Sequence, residues 1–150
     1  MTPARRRAVA ALVVALVTSA CGDTTVEGVR IDEAWARPTP PGAAVGAVYF
    51  RLRSGSDDEL VAASVDPSVA AGAELHATVT DTSSGTSAME ELAATPIEAG
   101  STLTFEPGGD HVMLVDLAAP LVTGATFDLI LELARSGPQV VAVTVGEGPP

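Results

Sequence analysis

Turn-forming clusters interrupt this chain so often that no long helix can form between them. They fall at Pro40-Pro41-Gly42, Ser54-Gly55-Ser56-Asp57-Asp58, Ser83-Ser84-Gly85, Pro107-Gly108-Gly109-Asp110 and Ser136-Gly137-Pro138. The segments between them are short and alternate apolar with polar residues, the period of a half-buried strand. Near the C-terminus, Phe127, Leu129, Leu131 and Leu133 share one face, while Asp128 and Glu132 take the other. This places core on one side and water on the other. Strands are predicted at Val29–Trp35, Val45–Arg53, Leu60–Val65, Ala73–Thr80, Ala88–Leu92, Thr102–Phe105, His111–Leu117, Thr126–Leu133 and Gln139–Val145. Short strands at this density, eight or nine in about 120 residues, specify an all-β sandwich or barrel. Aromatic residues are only 3% of a chain that is 47% apolar, so the core must be aliphatic.

The N-terminus reads differently. Arg5-Arg6-Arg7 precede an apolar run from Ala8 to Val17 and then Thr18-Ser19-Ala20-Cys21, the layout of a secretory signal over residues 1–20. Ser19-Ala20-Cys21 resembles a bacterial lipobox, which would make Cys21 the lipidated first residue of the mature chain. The alternative is an ordinary cleaved signal followed by an incidental cysteine. Residues 21–28 are polar and short, a tether between an anchor and a domain at 29–146. The expected location is therefore outside the cytoplasm, lipid-anchored on the outer face of the cytoplasmic membrane.

Loss of residues 1–20 removes three of eight basic residues and leaves five arginines against nineteen carboxylates, a net charge of −14. Lysine is absent. Such a surface excludes nucleic acid as a partner and suits a solvated, cation-attracting domain. With its one cysteine at the anchor, the domain has no thiol nucleophile, and no serine–base pair stands out, so an enzyme is not expected.

The remaining chemistry lies in the only two histidines, His76 and His111, and the only two methionines of the mature chain, Met89 and Met113. His111 and Met113 are two apart on a predicted strand and project from one face. His76 and Met89 flank a turn-rich stretch that reads as a hairpin. A turn centred between Thr82 and Ser83 would set them directly opposite one another. Two imidazoles and two neutral, soft thioethers favour one Cu(I) ion over Mg(II), Ca(II) or Zn(II). Taken one at a time, a methionine on a strand is usually core filler and a histidine a surface or capping residue.

At these residues the sequence resembles the periplasmic copper chaperone family called PCuAC, whose signature is a His, a Met about ten residues on, then twenty-one residues and His-x-Met. Residues 90–110 supply the twenty-one, followed by His111-Val112-Met113. Ala34-Trp35-Ala36-Arg37-Pro38, Pro40-Pro41-Gly42, Ala47-Val48-Tyr49, Asp58-Glu59-Leu60 and Glu74-Leu75-His76 extend the likeness over most of the chain. The resemblance implies a cupredoxin-like β-sandwich. It also implies a role in carrying copper toward cytochrome oxidase copper centres, directly or through a thiol-bearing assembly factor. Absence of a His- and Met-rich tail implies one copper site. A surface copper buffer without a dedicated recipient and a metal-free interaction lipoprotein are the competing readings.

Overall fold

The computed structural model describes residues 28–150; the leader, Cys21 and most of the tether fall outside the described residues. The fold is all-β, with ten strands: β1 Val29–Ala36, β2 Val45–Ser54, β3 Asp58–Val65, β4 Ala70–Asp81, β5 Thr86–Glu91, β6 Thr95–Ile97, β7 Thr102–Phe105, β8 His111–Leu117, β9 Thr126–Leu133 and β10 Gly137–Val145. Nine coincide with the predicted strands. The tenth, β6, spans three residues around Pro96, too short to show a period.

The strand path runs β5-β4-β8-β2-β1-β10-β9-β3-β6, with β7 paired to the far half of β2. A single pairing, Ala63↔Ala73, joins β3 to β4, so the sandwich closes on itself as a barrel. Closure removes two of the long edges that would otherwise template aggregation. Inside lie Val48, Phe50, Leu52, Val112, Leu114 and Leu131, each almost wholly shielded from water. Phe50 and Phe105 stack with ring centroids 4.5 Å apart, one of few aromatic contacts in an otherwise aliphatic core. Leu129, Leu131 and Leu133 are buried on alternate positions of β9, as the alternation requires.

One irregularity redirects a face. Between Asp32↔Arg51 and Trp35↔Tyr49, β1 advances three residues while β2 advances two, and Glu33 takes φ 55° in this bulge. An added residue inverts the side-chain alternation that follows it. Trp35 therefore stands beside Tyr49 on the outward face, and Ala36 turns inward against Val48.

The β9–β10 turn is tied down from a distance by Asp58. Its carboxylate accepts from the backbone N–H of Arg135 at 2.9 Å, and from the N–H and hydroxyl of Ser136 at 3.0 and 2.6 Å. Burial pushes this carboxyl upward, but the Ser136 hydroxyl and the N–H groups of Arg135, Glu59 and Ser136 outweigh it and hold the pKa at about 2.

Candidate metal centre

The register of the central strands decides which side chains meet. In the β4–β8 ladder His76 lies directly opposite His111, and Glu74 opposite Met113. Directly paired residues share a face, so all four project together. Their neighbours in sequence, Leu75, Val112 and Leu114, point into the core. The candidate ligands thus occupy the outer face of the barrel wall, where β8 begins at His111. The two imidazole centroids are 5.9 Å apart.

The β4–β5 hairpin differs from its expected register. His76 pairs with Glu91, and Met89 pairs with Thr78, so His76 and Met89 are diagonal neighbours and not opposite ones. The turn is centred one position later than expected, between Ser83 and Ser84. Asp81 accepts from the backbone N–H and hydroxyl of Ser83 at 2.8 and 2.6 Å, and the loop closes with Gly85 N–H donating to the Asp81 carbonyl at 2.8 Å. Gly85 has φ 69°, a left-handed position that costs glycine little, and this pins the loop. The same-face relation survives, because a diagonal pair one step removed in the ladder stays on one side. Its Cβ separation is roughly 7 Å, within reach of a long thioether.

Burial divides the four. His76 and His111 are 8% and 5% exposed and Met113 is half-buried, whereas Met89 is 65% exposed. Past its last pair with β8, β4 continues from Ala77 to Asp81 in partnership with β5, whose six residues are all exposed. Three of the side chains therefore stand on the barrel wall and the fourth on a projecting ribbon.

Each imidazole is oriented by a neighbour. His111 Nδ1 lies 3.1 Å from the Gly109 carbonyl. A carbonyl only accepts, so Nδ1 carries the proton and, in the neutral ring, the Nε2 lone pair is left free. His76 Nε2 lies 3.0 Å from Glu74 Oε2, while its Nδ1 is buried without a hydrogen-bond partner. A buried nitrogen left in that state costs about 1–3 kcal/mol, which a bound cation would recover. Among the described residues, no three His, Cys, Asp or Glu side chains cluster as a metal site by themselves. A site at these residues would have to draw on the methionine sulfurs as well as the two imidazoles.

Next to the histidines, Tyr49 stands 6.5 Å from His111 and Trp35 4.8 Å from Tyr49, centroid to centroid. Burial pushes the Tyr49 hydroxyl above the ordinary phenol range, with the Arg37 charge pulling the other way. It stays protonated at neutral pH and offers no competing anionic ligand. Glu74, Trp35 and Tyr49 were visible in the sequence only as part of a family pattern. Their placement at the site depends on register and on the β1 bulge.

The family profile described as "Putative lipoprotein LpqE-like" matches residues 29–145. The "Putative lipoprotein Lxx21020" of Leifsonia xyli subsp. xyli is 32% identical over 120 residues, covering 79% of this chain and 70% of that protein. Among solved structures, the apo PCuAC domain from PmoF1 superposes with a TM-score of 0.66 at 21% identity, over 81% of this chain and 95% of that domain. The solution structure of CuI-DR1885 from Deinococcus radiodurans gives a TM-score of 0.60 at 29% identity, over 85% of this chain and 83% of that one.

Proposed function

The chain belongs to the LpqE-like lipoprotein family, and from that premise we propose that it is an exported, lipid-anchored carrier of Cu(I). One ion is held on the outer barrel face by His76, Met89, His111 and Met113, and the anchor is Cys21. The observation that carries this reading is the direct cross-strand pairing of the two histidines, with Met113 diagonal to one and adjacent to the other, and a buried, partnerless nitrogen on His76. The copper(I) form of the Deinococcus protein supports the choice of cargo. Neutral imidazole and thioether together suit Cu(I), which tolerates low coordination and prefers soft donors.

Carriage requires release as well as capture. A ligand set that includes an exposed thioether on a ribbon can be exchanged one bond at a time with an incoming partner, while the two buried imidazoles keep hold. The recipient is a copper-accepting protein, either a cytochrome oxidase subunit or a thiol-bearing assembly factor. No step of this role forms or breaks a covalent bond in a substrate.

Loading the domain with Cu(I) under reducing conditions should give one ion per chain, with X-ray absorption showing both nitrogen and sulfur neighbours. Zero copper after gel filtration, or a purely nitrogen and oxygen shell, would refute the assignment. Mixing the loaded domain with an apo copper-A domain then separates carrier from buffer: a carrier gives up its ion, and a buffer retains it.

A further inference from the structure

Glu74 is the one carboxylate in hydrogen-bond contact with a candidate ligand among the described residues. It lies two residues before His76 on β4 and faces Met113 across the β4–β8 ladder. Its carboxylate oxygen is 3.0 Å from His76 Nε2, and its side chain is partly shielded. An ionised carboxylate only accepts, so the bond requires a proton on Nε2. In a neutral ring this puts the lone pair on Nδ1, the atom that is buried and has no partner.

His111 shows the opposite arrangement, with its Nδ1 proton committed to the Gly109 carbonyl and its Nε2 left over. The two facing rings are thus locked in opposite tautomers by two different acceptors. We propose that Glu74 is a positioning residue for the metal centre: by holding the Nε2 proton of His76 it makes Nδ1 the nitrogen that ligates the ion, while His111 ligates through Nε2. The inference rests on the copper reading given above. A tautomer chosen before the metal arrives spares the ring a proton rearrangement on binding, and a carboxylate behind an imidazole strengthens it as a donor.

Strand geometry alone sets the Glu74–His76 pair, while the β4–β8 register brings His111 and Met113 to it. Residues 74 and 76 share a face because they are two apart on β4. A one-residue change of register would leave the pair intact but would no longer set Met113 opposite the carboxylate.

Long-range ¹H–¹⁵N NMR of the metal-free protein at mildly alkaline pH reads the tautomer directly. In the parent, His76 should carry its proton on Nε2 and His111 on Nδ1. Glu74→Ala should convert His76 to a mixture of tautomers and lower Cu(I) affinity by about 10–100-fold, the usual loss when the partner of a ligating histidine is removed. Glu74→Gln keeps a carbonyl oxygen to accept the proton, so it should preserve the tautomer and restore most of the affinity. Cu(I) should move the His76 Nδ1 resonance and leave Nε2 protonated. The proposal is overturned if metal-free His76 is protonated on Nδ1, if Glu74→Ala leaves tautomer and affinity unchanged, or if Cu(I) displaces the Nε2 proton. A parent protein that binds no Cu(I) overturns the copper reading itself. One that binds Cu(I) with Nδ1 uninvolved overturns only the role of Glu74.

Discussion

Replacing Met89 and Met113 together by leucine is expected to reduce Cu(I) affinity by about two orders of magnitude or more, while the far-ultraviolet circular dichroism stays that of the parent. The two substitutions remove both soft donors and leave two imidazoles, which serve Cu(II) and Zn(II) as readily as Cu(I). Loss should accordingly be selective: Cu(I) retention collapses, and Zn(II) binding changes little. The structural cost is small for separate reasons. Met89 is 65% exposed on the ribbon, so leucine there buries nothing new. Met113 is half-buried on β8, and a volume-conserving exchange costs less than about 1.5 kcal/mol. Competition against a Cu(I)-specific chelator measures the affinity. A double variant that holds Cu(I) like the parent would make both methionines packing residues and remove the basis for the copper assignment.

The second large effect concerns stability. Asp58→Ala should destabilise the domain by about 3 kcal/mol, because it removes a carboxylate and leaves the N–H groups of Arg135 and Ser136 without their acceptor in a partly buried place. Asp58→Asn should cost less, since one oxygen remains to accept. The same carboxylate predicts the acid behaviour of the parent. Its folded pKa of about 2 lies below the ordinary value of 3.8, so its contribution is complete above about pH 4 and fades as pH falls toward 2. Chemical denaturation across that interval should show a decline that is absent from Asp58→Ala. An equal decline in both proteins would assign the acid sensitivity to other carboxylates.

How much of this was legible in the residues depends on the length scale of the interaction. Strand positions were readable because turn clusters and alternation are local, and the alternate burial of Leu129, Leu131 and Leu133 repeats what their spacing says. The His111-Val112-Met113 pair was readable for the same reason: two residues apart on a strand means one face. The partnership of His76 with Met89 was only half readable. Spacing placed both on one hairpin, but the turn centre was decided by Asp81 bonding Ser83 and by Gly85 taking a positive φ, and the partner of His76 moved by two residues, from Met89 to Glu91. The direct pairing of His76 with His111 could not be read at all, since 34 intervening residues carry no record of which strands become neighbours. Asp58 was equally hidden. Its partners at Arg135 and Ser136 are nearly eighty residues away.

The bulge at Glu33 has an optical consequence. By turning Trp35 outward against Tyr49, it puts the single tryptophan of the chain two ring contacts from His111: Trp35 to Tyr49 at 4.8 Å and Tyr49 to His111 at 6.5 Å. The protein therefore carries its own fluorophore beside the site, with no second indole to dilute the signal. Ion capture at His111 should alter indole emission in step with occupancy, so that Cu(I) titration of the unlabelled protein would read out binding directly.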